Sequence, residues 1–208
     1  MYNNNIETFN IVDKILLESQ KPSEEIRGLI NKGKFNNNPL NIIAELSNID
    51  QNLKYHPEGN VLNHVMMVID EASKRKGYSK DKRAFMWGAL LHDIGKLTTT
   101  RVRKNRITSY DHDIEGEKMA KNFLNNFIDD DVFINRVSKI VRYHMQPLFF
   151  DKNLPFFKFE DMLNEVDYNE IALFSICDRL GRGNISLESI NNEKEKIEKF
   201  KEYCKSNT

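Results

Sequence analysis

Residues 89–96, ALLHDIGK, close an apolar run with a histidine, an aspartate, a glycine and a lysine. Imidazoles and carboxylates both bind divalent metal ions. Two such side chains at the end of a buried helix cost free energy unless water, a partner or an ion neutralises them. His92 and Asp93 therefore indicate either a solvated helix end or a metal site, and a metal site needs further ligands from elsewhere in the chain.

Further candidate ligands follow at separated positions. The sequence has five histidines, and four of them fall at or near the ends or inner faces of consecutive predicted helices, where a bundle would bring them to one pocket. With two aspartates added, the candidate ligands are His64, His92, Asp93, His112, His144 and Asp178. Such a set suits Mn, Fe, Ni, Zn or Mg. The two cysteines, Cys177 and Cys204, lack the CxxC spacing of a structural zinc site.

The elements that must position these residues are helical. Apolar residues recur at spacings of three and four along most of the chain, which predicts an all-α protein. Ser79 is the expected cap of the helix that carries the opening motif. In residues 98–110, β-formers flank RKNR, which predicts a small hairpin flap. The predicted helices span residues 6–19, 23–32, 41–49, 61–77, 81–95, 114–127, 132–144, 168–180 and 187–205.

Length and charge limit the class of protein. A chain of 208 residues can form one substantial domain. Lys+Arg and Asp+Glu both number 31, so net charge favours neither a nucleic acid nor a membrane as partner. The sequence has no signal-peptide pattern at its start and no apolar window long enough to span a bilayer, so we expect a soluble, cytoplasmic protein.

Five blocks of sequence carry a family resemblance. In order they are HPEGNVLNHVMMVID, GALLHDIGK, YDHDIEGEKMA, VRYHMQP and CDRLGRG. They resemble the HD-domain superfamily of metal-dependent phosphohydrolases, and most closely the HD domain attached to bacterial tRNA nucleotidyltransferases, the CCA-adding enzymes. The resemblance covers about residues 39–183 and implies an HD-like helical bundle. The Gly-rich turn and paired catalytic aspartates of the nucleotidyltransferase head do not occur in this sequence, so CCA addition is not implied.

The resemblance also implies an organisation of the chain. We expect a helical extension over residues 1–50 that packs on the domain. The HD phosphohydrolase domain should occupy residues 51–185, and a charged helix should follow over residues 186–208. The sequence predicts no oligomeric state.

The resemblance implies roles for the candidate ligands. His64, His92, Asp93 and Asp178 would hold a first divalent ion. His112 and His144 would hold a second ion with Asp93 as the bridge, or they would bind a substrate phosphate at a site with one ion. Gly95 is expected to permit the bend that lets two adjacent residues share an ion.

The implied activity is hydrolysis of a phosphomonoester or phosphodiester by a metal-activated water. The expected substrates are phosphorylated small molecules, above all nucleotides, 2′,3′-cyclic nucleotides or RNA ends. Asp93 and Lys96 are the predicted catalytic residues, since Lys96 lies four residues after His92 and could hold a phosphoryl oxygen. Lys96, Arg179 and Arg182 are the predicted substrate-binding residues.

Several alternatives stay open at this point. Asp161 and Asp167 compete with Asp178 for the last ligand position, although Asp167, three residues before Glu170, is better explained as a helix cap. His56 is interpreted as a structural residue or a hydrogen-bonding support for a ligand.

Two further groups of residues can be interpreted either as functional or as ordinary surface residues. Asp111 and Glu115 could orient His112. The basic residues 101–106 of the flap either face a phosphate-rich ligand or form a solvated loop.

Two other functions remain as alternatives to an enzyme. The same pocket could belong to a non-catalytic module that binds a nucleotide or an RNA end, or to a subunit of an RNA-processing assembly. The charged terminal helix is also compatible with a scaffold.

Overall fold

The computed structural model describes residues 2–104, 106–183 and 185–208. Within these residues the chain forms twelve α-helices and one antiparallel hairpin, which confirms the all-α bundle with a small β flap. The helices are α1 (Tyr2–Glu18), α2 (Pro22–Asn31), α3 (Asn41–Glu45), α4 (Val61–Arg75), α5 (Lys82–Leu91), α6 (Lys96–Thr99), α7 (His112–Leu124), α8 (Asp131–Tyr143), α9 (Gln146–Asp151), α10 (Phe159–Glu165), α11 (Tyr168–Leu180) and α12 (Leu187–Ser206). The strands are β1 (Arg101–Arg103) and β2 (Arg106–Thr108).

Every predicted helix occurs, but α5 ends at Leu91, four residues before the expected end at Gly95, and α1 begins at Tyr2 instead of Ile6. Three short helices were not predicted. These are α6, α9 and α10, which have four, six and seven residues. A segment of one or two turns contains too few apolar positions to show a helical period.

The main core lies between α4, α5 and α8. Trp87 of α5 is fully buried, and its ring stacks on Phe9 of α1 with centroids 4.6 Å apart. The indole Nε1 donates a hydrogen bond to Asp13 at 2.7 Å, so the single polar atom of this side chain is satisfied. Truncation of a buried side chain of this size costs about 3–5 kcal/mol.

Helices α1 to α3 add side chains to the same core as the later helices. The division of the chain at residues 50 and 185 stays a prediction.

A second, smaller apolar cluster joins α9, α10, α11 and α12. Ile197, Phe200 and Cys204 are the buried residues of α12, and they face α11. The last helix is therefore anchored along one narrow apolar stripe, while most of its other side chains are exposed.

Two helix caps differ in detail from the expectation. Asp81, not Ser79, caps α5 by accepting a hydrogen bond from the Ala84 amide at 3.0 Å. The Ser79 hydroxyl instead donates to Glu170 at 2.6 Å. Asp167 does cap α11, at 2.8 Å from the Asn169 amide, but Glu170 is turned away to Ser79. The expected capping box between Asp167 and Glu170 is therefore not formed, and Glu170 instead links the start of α11 to Ser79, just before α5.

The flap is a short antiparallel hairpin with Val102 opposite Ile107. Asn105 lies outside the described residues. The side chains of Arg101, Arg103, Lys104 and Arg106 are exposed. Among the described residues, no helix is both long enough and apolar enough to cross a bilayer.

Candidate metal centre

The six candidate ligands lie at helix ends that meet inside the bundle. His64 lies in the first turn of α4, His92 directly follows α5, and His112 begins α7. His144 directly follows α8 and Asp178 lies in the last turn of α11. A polar residue at either end of a helix that packs in the core is carried into the interior, so five separate helices build one cluster.

Asp93 occupies the centre of the cluster. Its Oδ2 lies 3.4 Å from His92 Nε2 and 3.8 Å from His64 Nε2. Its Oδ1 lies 3.4 Å from His112 Nε2 and 4.0 Å from His144 Nε2. The carboxylate therefore faces two groups of donors, which we call the His64 half (His64, His92 and Asp178) and the His112 half (His112 and His144).

Backbone carbonyl groups determine which ring nitrogen carries the hydrogen in three of the imidazoles. His92, His112 and His144 each place Nδ1 within 2.6–2.9 Å of a carbonyl oxygen, on Ala89, Ser109 and Val141 respectively. A carbonyl oxygen only accepts, so Nδ1 carries the hydrogen in all three rings and Nε2 presents a lone pair to Asp93.

The cluster is buried, and the Nε2 atoms of three of its imidazoles lie close to one another or to Asp93. His112 Nε2 and His144 Nε2 lie 3.2 Å apart with their lone pairs facing one another. His92 Nε2 has no hydrogen-bond partner among the described residues. The four candidate histidines and Asp93 are between 1% and 8% exposed, and the Phe174 ring lies 5.3 Å from the His92 ring as an apolar floor. Buried lone pairs that converge on a carboxylate fit a cation, and the mixed nitrogen and oxygen donors suit the divalent transition metals.

His64 is supported by carboxylates. Its Nε2 lies 2.9 Å from Asp178 Oδ1, and its Nδ1 lies 3.0 Å from Glu58 Oε1. Burial alone would lower the pKa of His64, but these two carboxylates raise it above its ordinary value.

Glu58 is a supporting residue that the sequence reasoning missed. Besides approaching His64, it bonds His56 Nδ1 at 2.9 Å and accepts from the Gly183 amide at 3.2 Å. It thereby ties the loop before α4 to the segment just after Asp178. The one signal in the sequence is its position two residues after His56, which we interpreted as a support for a ligand.

The protonation of the cluster differs between its members. Burial would raise the pKa of Asp93, but Lys96 and the nearby imidazoles hold it well below its ordinary value. The pKa of Asp178 is also held well below its ordinary value, by His64 and Arg182 against the effect of burial. Burial lowers the pKa of His112 to about 3 and also lowers that of His144. The His112 half is therefore neutral near pH 7.

Of the three predicted substrate-binding cations, the structure brings two to the cluster. Lys96 Nζ donates to Asp93 Oδ2 at 2.7 Å and to Gln51 Oε1 at 2.8 Å. Arg182 Nη2 lies 4.0 Å from Asp178 Oδ2. Arg179 is not brought there, because its buried guanidinium forms an ion pair with Glu193 of α12. The side chain that follows Asp178 by one residue points about 100° away on the helix, so it faces α12 instead.

Gly95 has a different role from the expected one. Its φ of −64° is ordinary helical geometry, so no special bend depends on glycine here. A Cβ at this position would lie 2.0 Å from the His112 carbonyl oxygen. Glycine is needed because the backbone at the start of α7 packs directly against it, and this contact sets His112 beside Asp93.

The remaining candidates lie apart from the cluster. Asp167 caps the opposite end of α11, about 16 Å from Asp178 by the helical rise. Asp161 is exposed on α10. Glu115 pairs with Lys118 at 2.7 Å on the surface of α7, and Asp111 is exposed, with a left-handed φ of 59°.

A comparison with known families identifies the family of the chain. The model of the HD domain family matches residues 61–183, which is more than half of the chain. The chain belongs to the HD domain family. HD domains form a superfamily of metal-dependent phosphohydrolases, and the matched residues run from the start of α4 to just beyond α11, so they include all six candidate ligands.

Curated relatives of this HD domain match over shorter segments. The multifunctional CCA protein of Burkholderia mallei (strain SAVP1) is 49% identical over 57 residues, which are 27% of this chain and 13% of that protein. The multifunctional CCA protein of Actinobacillus pleuropneumoniae serotype 5b (strain L20) is 31% identical over 81 residues, 38% of this chain and 19% of that protein. The chain thus spans less than a fifth of the length of these relatives.

Proposed function

We propose that this HD domain is a metal-dependent phosphohydrolase that cleaves a phosphomonoester or phosphodiester of the nucleotide class. The observation that supports it most is the buried Asp93 carboxylate with imidazole lone pairs on both of its oxygens. Within the described residues the cluster consists of imidazoles and carboxylates, and the proposed attacking group is a water activated at this site.

Each half of the cluster would hold one ion. His64, His92, Asp93 and Asp178 are the donors for the first, and Asp93, His112 and His144 are the donors for the second. When bound, divalent ions at such a site supply a nucleophile from water at neutral pH and stabilise charge on the phosphoryl oxygens. The metals compatible with these donors are Mn, Fe, Ni, Mg and Zn.

Lys96 is the proposed first contact of the substrate phosphate. An ammonium has three N–H donors, and two of those on Lys96 already bind Asp93 and Gln51. The third is left for a phosphoryl oxygen, and the two existing bonds hold the Lys96 side chain in place. The hydrogen bond from Lys96 to Asp93 also fixes the rotation of the Asp93 carboxylate.

Arg182 is proposed to neutralise the outer side of the phosphate. Its guanidinium stands 4.0 Å from Asp178, which is too far for a direct hydrogen bond. Its buried Nε has no hydrogen-bond partner among the described residues. Arginine forms paired hydrogen bonds with phosphate oxygens, so an incoming phosphate would satisfy this donor.

The nucleotide class of the substrate rests on the relatives. Their name, multifunctional CCA protein, refers to proteins much longer than the matched segments. We propose 2′,3′-cyclic nucleotides, nucleoside monophosphates and RNA ends as the first substrates to test.

Hydrolysis of p-nitrophenyl phosphate and bis(p-nitrophenyl) phosphate, followed by the nucleotides, tests the proposal in each of the five metals. We expect turnover by the wild type and a loss of more than about a hundredfold in Asp93→Asn, since even supporting residues of metal sites cost up to that factor. Asp161→Asn is the matched control, because it makes the same change at an exposed carboxylate. Equal turnover by Asp93→Asn and the control would refute the site, and nucleotide binding without turnover in any metal would favour a binding module.

A further inference from the structure

A groove of about 610 Å³ opens beside the His112 half of the cluster. One wall is formed by His112 and Ile114 at the start of α7, and the other by Leu148 and Phe149 of α9 with the loop that contains Phe156. The imidazole of His112 therefore lies between the cluster and the groove. Its Nε2 faces Asp93, and the same side chain lines the groove.

Large apolar side chains are exposed around this one groove. Phe156 is 53% exposed, while Ile114 and Leu154 are each 37% exposed and Tyr110 is 74% exposed. Single exposed apolar residues are common on protein surfaces, but a contiguous group that lines a concave surface is typical of a ligand site. The volume is also in the range of small-molecule pockets, about 300–1,000 Å³.

The shape and polarity of the lining favour a flat ring with polar edges. The rings of Phe149 and Phe156 meet at 61° with centroids 5.6 Å apart, which makes an aromatic corner. Ser109, Asp111 and Lys158 supply hydrogen-bonding groups around the apolar walls. A nucleobase combines a stacking face with donors and acceptors on its edge. An acyl chain would leave the polar groups of this lining unused.

We propose that this groove binds the base of a nucleotide whose phosphate lies at the His112 half. The inference rests on the proposed function for the position of the phosphate, and it assigns Phe156 and Ile114 to substrate recognition. Since His112 separates the groove from Asp93, base and phosphate would lie on the two sides of one imidazole, which suits a ligand that carries both groups on one sugar.

Calorimetric titration of the manganese-treated full chain tests the inference. The probes are the phosphonate analogues of adenosine 5′-monophosphate and of ribose 5-phosphate, in which a methylene group replaces the ester oxygen so that neither is hydrolysed. Stacking of a base on an aromatic side chain favours binding by about tenfold or more, so we expect at least that ratio between the two dissociation constants in the wild type.

Two variants remove the groove contacts, and one serves as a control. Phe156→Ala and Ile114→Asn change opposite walls, and both side chains are already partly exposed, so folding should be retained. Each should bring the ratio below about threefold, because Phe156→Ala removes one of the two stacking rings and Ile114→Asn replaces an apolar contact of the base by a polar group. Tyr78→Ala truncates an aromatic residue that is 82% exposed beyond the far end of α4 from His64, and it should keep the ratio of the wild type.

Equal dissociation constants for the two probes in the wild type would overturn the inference. So would a ratio that survives both groove variants, or a change of oligomeric state in Phe156→Ala without a change in either constant, which would assign the groove to a second copy of the chain. The proposed function is tested separately. Base-dependent binding without hydrolysis in any metal would keep the groove and reject the enzyme, while hydrolysis without a base preference would do the reverse.

Discussion

The two halves of the cluster share Asp93 but are built differently. In the His64 half, Asp178 adds a second carboxylate and Glu58 supports His64 from behind. In the His112 half, both imidazoles are held by backbone carbonyls, and Asp93 is the one carboxylate within 4.0 Å of them among the described residues. A divalent cation is attracted more strongly where two negative charges surround it. The difference suggests a first ion that is held firmly and a second that exchanges more easily.

The largest effect should come from the residue that both halves share. Asp93→Asn removes the bridging charge, so we expect neither ion to be retained. Manganese at a hundred times its dissociation constant should stabilise the wild type by about 2.7 kcal/mol and should leave this variant unchanged. Thermal unfolding with and without manganese measures this, with Asp161→Asn as the control. A variant that is still stabilised by manganese would show that Asp93 does not join the two halves.

Removal of the His112 half should leave the other half occupied. In the double variant His112→Ala with His144→Ala, we expect the metal content to fall from about two ions to about one. Elemental analysis of protein purified without chelator or affinity tag measures the content. Retention of both ions would assign these histidines to substrate phosphate, and loss of both would make the halves interdependent.

The candidate ligand positions could be predicted from the sequence because each one lies at or near an end of a predicted helix, either its start (His64, His112) or its end (His92, His144, Asp178). Asp178 could be preferred over Asp167 because it lies at the end of an apolar helix, and the structure places Asp178 against His64 while Asp167 caps a helix. The role of Glu58 could not be predicted from the sequence, because its contact with the Gly183 amide spans 125 positions of sequence. Apolar periodicity identifies the buried face of a helix but not the distant residue that packs against it.

The groove could not be predicted for a related reason. Phe149 lies on α9, a helix of only six residues, and Phe156 lies in the loop that follows it. Neither segment has a period that would identify an inner face. The close approach at Gly95 was equally hidden, because it depends on where α7 begins in space and not on the conformation of Gly95 itself.

A smaller effect should come from the support of His64. Glu58→Gln keeps the size of the side chain but removes its charge, and loss of such a support weakens metal binding by about 10–100-fold. We expect this loss in the His64 half only, measured as a manganese binding isotherm. Glu115→Gln is the matched control, since Glu115 adjoins the His112 half in sequence but pairs with Lys118 on the surface. Equal isotherms for the two variants would contradict a supporting role for Glu58.

The smallest effect is a difference in pH dependence. A ligating imidazole must be neutral, so a proton on it competes with the metal. The carboxylates around His64 raise its pKa, and the competition there disappears only as the pH rises through that raised value. Burial lowers the pKa of His112 to about 3 and also lowers that of His144, so proton competition with a metal near pH 7 is weaker in the His112 half. Calorimetry in buffers of different ionisation enthalpy should detect proton release near pH 7 from the wild type and equally from the His112/His144 double variant. Loss of that release in the double variant would reverse the assignment.

Anomalous X-ray diffraction from crystals grown with manganese tests most directly whether Asp93 lies between two ions. We expect two manganese peaks on either side of the Asp93 carboxylate, about 3.5–4 Å apart, with the peak at the His64 half the stronger of the two. A single peak beside His64 and Asp178 would reduce the site to one ion. The absence of any peak within reach of Asp93 would show that Asp93 is not a metal ligand.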